Sequence, residues 1–263
     1  MSLNKKERYM GRPLRTRIDF AKTLSWYDFF HNQLIAFGKI KNDFGLAKLL
    51  CKDTEKSHES NLFKKYKFGL STPQQEWIDI IDSKCIGSSN IINHSIWKNL
   101  KYRTTEEKLI LIELNNLPNY IFENLIINGH IKDFNKSDLE KLAQYGSLDS
   151  LCALYLLHQW GYSIGSTSLV NDCCSFIINT LELLLKRHDY LERSHIFLFD
   201  EICDQIFIME LKGYNRPLKI KLNWREYRKE NWSSEVKEIS TKAEADFRVH
   251  PKLQDFIPST DQN

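Results

Sequence analysis

Apolar residues recur along most of this chain at intervals of three and four, the spacing that gathers them on one side of an α-helix. The first such run opens near Ser25, where Trp26, Phe29, Phe30, Gln33, Leu34 and Phe37 fall on one stripe. Asn42-Asp43 offers an N-cap for a short second helix carrying Phe44, Leu46, Ala47, Leu49 and Leu50. After a polar connection from Lys52 to Ser57, a third pattern runs from Ser60 to Phe68. It turns Leu62, Phe63 and Tyr66 inward and Lys64, Lys65 and Lys67 outward, and Gly69 supplies the stop. Ser71-Thr72-Pro73 reads as a cap with proline at the first helical position and Gln75 in the capping-box place, opening a fourth helix that ends near Gly87.

Beyond Asn90 the signals stay helical. Thr104 or Thr105 to Asn116, Ser137 to Tyr145, Ser147 to Trp160, and Ser166 or Ser168 to His188 each carry helical periodicity, and the last two are rich in leucine. Ser137-Asp138-Leu139-Glu140 matches a capping box. The class this predicts is all-α, a four-helix N-terminal module followed by a helical bundle. Only 10 Gly and 6 Pro in 263 residues agree with long helices and short connections.

Composition adds bounds. With 42% hydrophobic, 12% aromatic and 27% charged residues the chain can bury a core without disulfide staples. Its six cysteines, Cys51, Cys85, Cys152, Cys173, Cys174 and Cys203, form no C-x-x-C pair and sit largely in apolar runs, which predicts free thiols and a cytoplasmic location. The N-terminus lacks an apolar leader and no stretch of about 18 uncharged apolar residues occurs, so neither secretion nor a membrane span is expected.

Charge is uneven. Residues 1–70 hold 15 Lys+Arg against 7 Asp+Glu, a net +8, and the remainder carries −5. A polyanion would therefore meet the N-terminal part, although a solvated basic face gives the same count. Lys5, Lys6, Arg8, Arg12, Arg15 and Arg17 form a basic arm in which Gly11-Arg12-Pro13 resembles the Gly-Arg-Pro core of AT-hook arms that enter narrow minor grooves. An ordinary basic tail fits the same residues.

The segment Leu62-Phe63-Lys64-Lys65-Tyr66-Lys67-Phe68-Gly69-Leu70-Ser71-Thr72-Pro73 resembles the recognition-helix region of the Cro/repressor-like helix-turn-helix family. It is also similar to the N-terminal region of a set of uncharacterised bacterial proteins with the same Gly-x-x-x-Pro spacing. The resemblance covers about Ser25 to Gly87, and departs from the family in the longer interval between Leu50 and Leu62 and in Phe44-Gly45 at the start of the second helix. It implies that Ser60, Asn61, Lys64 and Lys65 face the major groove, that Lys67 and Thr72 touch phosphates, and that Arg12, Arg15 and Arg17 of the arm contribute contacts. The domains that follow are an arm at 1–20, a helix-turn-helix-like domain at 21–100, a helical domain at 101–250 and a frayed tail at 251–263.

Enzymatic alternatives are thinner. Asp200 or Asp204 with Glu210-Leu211-Lys212 resembles the Asp and Glu-x-Lys core of restriction-endonuclease-like folds, which holds Mg²⁺ on adjacent strand ends. Against it, Phe199, Ile202, Cys203, Ile206 and Phe207 alternate with polar residues at a helical period. The eight histidines show no metal-ligand spacing, His158 reads as a satisfied core residue, and vicinal Cys173-Cys174 is a poor disulfide geometry. No phosphate loop, dinucleotide glycine fingerprint or nucleophile elbow occurs, so no catalytic residue and no cofactor is expected. Two readings follow. One is a DNA-binding protein, a transcriptional regulator or the DNA-binding subunit of a bacterial defence or mobile-element system, whose helical C-terminal region self-associates or holds a protein partner. The other is a helical interaction subunit of a larger assembly such as a phage-defence system, motivated by the Leu-rich 148 to 185 region.

Overall fold

The computed structural model describes residues 15–51 and 60–207, all within one unit that spans Met1–Lys219. The chain is all-α, with one two-stranded hairpin as its minor sheet among the described residues.

Helix α1 (Arg17–Ala36) starts about eight residues before the predicted position, at a capping box in which the Thr16 side chain accepts from the Asp19 N–H and Asp19 accepts in return from the Thr16 N–H. The early turns hid in the sequence because α1 is buried on several sides at once: Ile18, Phe20, Ala21, Thr23, Leu24 and Ser25 precede Trp26 in the interior, so no single stripe marks them. Arg17 to Phe20, assigned to the arm by charge, form the first turn of this helix. Phe37, assigned to the core stripe, is instead 69% exposed at the C-cap.

Helix α2 (Asp43–Cys51) is capped by Asn42, whose Oδ1 accepts from the Gly45 N–H at 3.0 Å. Helix α3 (Ser60–Lys67) ends as predicted at Gly69. The Gly69 N–H reaches the Tyr66 carbonyl at 2.9 Å and the Leu70 N–H reaches the Lys65 carbonyl at 2.8 Å, the bond pair of a Schellman end. Gly69 has φ +65, and a Cβ there would stand 2.9 Å from Phe20 Cδ1. Helix α4 (Gln75–Lys84) begins two residues later than Ser71-Thr72-Pro73 predicts, at Gln74 and with no side-chain cap bond. The Thr72 hydroxyl accepts from the distant Arg15 instead of capping the helix.

Short helices α5 (Ser88–Ile92), α6 (Ser95–Lys101), α7 (Glu107–Asn115) and α8 (Asn119–Phe122) follow. The hairpin, β1 (Ile126–Ile127) and β2 (His130–Ile131), is a feature the helical reading missed; Asn128-Gly129 between them supplies the two positive-φ positions of a two-residue turn. Helix α9 (Lys136–Gln144) takes its capping box from Asn135 and Asp138, not from Ser137. Helix α10 (Leu148–Ser163) opens on a Ser147/Ser150 box, and α11 (Thr167–Arg187) opens on Ser166. A 3-10 turn (Asp189–Leu191) leads to α12 (His195–Phe207).

Two packing centres organise these helices. Around the C-terminal half of α1, residues of α2, α3, α4 and α5 build an aromatic core from Trp26, Tyr27, Phe30, Phe63, Tyr66 and Trp77. The second centre is α10, buried from Leu151 to Trp160 and packed on α6, α7, α9 and α11. Its Gly161 lets α11 approach closely, since a Cβ there would lie 3.2 Å from Leu169 and from Val170. The fold therefore buries most leucines of the 148–185 stretch, with Leu183 and Leu185 of α11 half-buried. Helix α11 is long and apolar enough to cross a membrane by length and composition, and half of its apolar window is buried inside the fold. Helix α1 belongs to the first centre and touches α3, α5, α6, the 3-10 turn and α12, of which α6 also packs on α10.

Candidate nucleic-acid interface

Helix α3 divides its residues by face. Phe63 and Tyr66, both buried, are wedged edge-on between Trp77 and Trp26 at ring separations of 5.2 and 5.5 Å. Lys64 and Lys65 stand on the opposite side, exposed, and neither enters an ion pair among the described residues. Lys67 is half-buried, and its carbonyl accepts from the Arg193 guanidinium at 2.9 Å. Ser60 and Asn61 form the first turn of α3, and their side chains lie outside the described residues.

The arm residues divide differently. Arg12 lies outside the described residues. Arg15 is folded back on α1: it donates to the Asp19 carbonyl at 2.6 Å, to the Thr23 hydroxyl at 2.8 Å and to the Thr72 hydroxyl at 2.9 Å, with its guanidinium over the Phe20 ring. The structure thus brings Arg15 and Thr72 together, and onto each other. Arg17 forms an exposed ion pair with Asp204 of α12, and Lys101 pairs with Asp19 at 2.9 Å. Burial pulls the Asp19 carboxyl up, but bonds from Thr16 and Lys101 outweigh it and hold the group below the ordinary carboxylate range. The +8 of the first 70 residues is consequently not all on offer: acids and acceptors of the same chain engage the start of α1, whereas Lys64 and Lys65 of α3 remain open to solvent.

Other polar clusters resolve as structural. His94 Nδ1 accepts from the Ile96 N–H at 3.2 Å and Nε2 faces Asp149 at 3.0 Å, so neither nitrogen is left to serve as a base. Tyr120 adds a second bond to Asp149 at 2.7 Å; desolvation raises that carboxyl, and the His94 and Tyr120 bonds bring it below its usual range. Burial pushes Cys152 up to about 11 and Cys174 up to about 12, and raises Cys173 as well, which keeps all three as thiols at neutral pH. Cys85, Cys152, Cys173 and Cys174 are free thiols.

His158 is fully buried but only half satisfied. Arg103 Nε donates to Gln159 Oε1 at 3.2 Å, which leaves Gln159 Nε2 to donate to His158 Nδ1 at 3.2 Å. The imidazole proton therefore sits on Nε2, which has no partner among the described residues. Burial, with Arg103 nearby, pushes this histidine down to about 4.

Among the described residues no three of His, Cys, Asp and Glu gather as metal ligands. Asp200 and Asp204 lie on helix α12 and not at strand ends, and Asp204 is paired with Arg17; Glu210 and Lys212 lie outside the described residues. A cleft of about 460 Å³ opens between α9 and the chain around the hairpin, with Asn124, Lys132, Phe134, Lys141 and Tyr145 in its wall. Its Lys132 is already paired with Asp138 at 3.3 Å.

No protein-family model, no curated protein and no solved structure matches this chain. Among the residue sets not visible in the sequence is Asp28 with Arg193, buried partners 165 positions apart. The available signal was an acid at position 28 inside the apolar run Trp26 to Phe30.

Proposed function

We propose that α3 is a nucleic-acid contact helix and that the chain is a DNA-binding protein built on a helix-turn-helix-like N-terminal module. The observation that carries this reading is the pair Lys64 and Lys65, exposed and without an ion pair among the described residues, on a helix whose other face is locked into an aromatic core. A helix offered to a duplex needs this division: basic groups outward for phosphates and a rigid apolar underside that fixes their register. The element order supports it as well, since α2, α3 and α4 share one core with α1. Arg15 and Thr72 enter as residues that fix the end of the module and not as phosphate contacts, because each already bonds the other.

Fluorescence anisotropy with a labelled duplex over a salt series tests this. Binding is expected at low salt, with an affinity that falls steeply as salt rises. Each phosphate contact contributes about 0.9 to the logarithmic salt slope, so Lys64→Ala with Lys65→Ala reduces the slope by up to about 2. The Lys64→Glu, Lys65→Glu chain is expected to bind at least about tenfold more weakly. No binding at low salt, or titrations indifferent to these substitutions, would remove the reading.

A further inference from the structure

Arg193 lies in the connection between the 3-10 turn and α12, with 8% of its surface exposed, and makes a three-way contact. Its Nε donates to Asp28 Oδ2 at 2.9 Å, Nη2 closes a second bond on Asp28 Oδ1, and Nη1 donates to the Lys67 carbonyl at 2.9 Å. Lys67 is the last residue of α3, where helix carbonyls lack intrahelical donors and a cation is favoured by the helix dipole. Asp28 belongs to α1. A single planar guanidinium thus ties the C-terminal end of α3 to α1 from a position 126 residues further along the chain. Ser194, the next residue, bonds Ser25 of α1 hydroxyl to hydroxyl at 2.7 Å, which anchors the connection on the same helix.

We infer that Arg193 is a positioning residue that holds α3 at a fixed angle on α1, and so presents Lys64 and Lys65 in one register; the presentation half of this rests on the proposed role of α3. A buried ion pair adds little stability over an apolar replacement, whereas the rigid fork of arginine fixes three acceptors at set angles. The geometry is what the pair supplies. A lysine at 193 keeps the charge beside Asp28 but presents a single ammonium point, and cannot reproduce the fork on Asp28 and the Lys67 carbonyl together.

Hydrogen exchange on the full chain decides the matter, comparing the native protein with Arg193→Lys and with the isosteric Asp28→Asn. Exchange across residues 62–70 is expected to accelerate by at least about tenfold in both variants while residues 151–160 of α10 stay within about twofold. Equal acceleration of both regions would mark a general stability role and overturn the inference, as would no acceleration at all. Duplex titration of the same variants is expected to give several-fold weaker binding with an unchanged salt slope, because both α3 lysines remain. Native affinity despite faster exchange at 62–70 would overturn the presentation half. A native chain that binds no duplex would remove the DNA reading alone, and exchange would still decide whether Arg193 holds α3.

Discussion

Thr72 carries a hydroxyl that local rules assign to the cap of α4, and in the fold it accepts from Arg15, 57 residues away. Residues of this kind are legible as polar and placed, but not as partnered, because sequence spacing says nothing about which distant donor arrives. Gly69 is the opposite case: a glycine after a helical run predicts a left-handed stop, and φ +65 delivers it. Gly69→Ala is expected to lose about 1–3 kcal/mol in urea denaturation, since it adds left-handed strain and a Cβ contact of 2.9 Å on Phe20. His158 carries a pH signature. Its imidazole titrates near 6.5 when unfolded and about 4 when folded, so between those values the unfolded chain binds a proton that the native chain refuses. Stability therefore falls as pH drops from 6.5 toward 4, by up to roughly 3 kcal/mol for this group. His188 and His195 are also shifted down and act in the same direction, so the measurement is a comparison. In His158→Asn, whose amide oxygen replaces the Nδ1 acceptor, urea midpoints at pH 7 and pH 5 are expected to differ less than in the native chain. An equal pH response in both would refute the assignment.

At the scale of elements the sequence was most readable where a cap lies beside its helix. Asn42, Ser147 and Ser166 each accept from a backbone N–H three residues on, at the helix starts that local patterning marks. Ser147→Ala is expected to lower stability by about 1 kcal/mol, with Ser147→Asp retaining most of it, as read from thermal midpoints. Several elements escaped, among them the short helices α5, α6 and α8, the hairpin and the start of α1. The hairpin at 126–131 has strands of only two residues, too short to show alternation against the helical background, although Asn128-Gly129 is the turn pair such hairpins use. The first two turns of α1 escaped for the reverse reason. Their apolar residues point in several directions because the helix is enclosed, and enclosure erases the amphipathic contrast on which periodicity depends.

Across the whole molecule, α1 is shared by the aromatic N-terminal core and by the packing of α6 and α12. Unfolding either region exposes one side of the same helix, so a single cooperative transition is expected across the described residues. Tryptophan emission, which includes Trp26 and Trp77 of the N-terminal core, should track far-UV circular dichroism through one urea midpoint. Leu157→Ala, at a fully buried site on α10, should move both probes together by about 2–5 kcal/mol. Separate midpoints would show that the two regions fold independently. By itself the chain's order of apolar and polar residues determined the all-α class, most helix positions and the outward lysines of α3, because these depend on contacts within a few residues. Only tertiary packing decided that Arg15 and Arg17 are engaged by their own chain, that α10 consumes the leucine-rich surface, and that Arg193 reaches the end of α3. Those outcomes depend on which distant groups meet, and residues far apart in sequence meet only once the helices have packed.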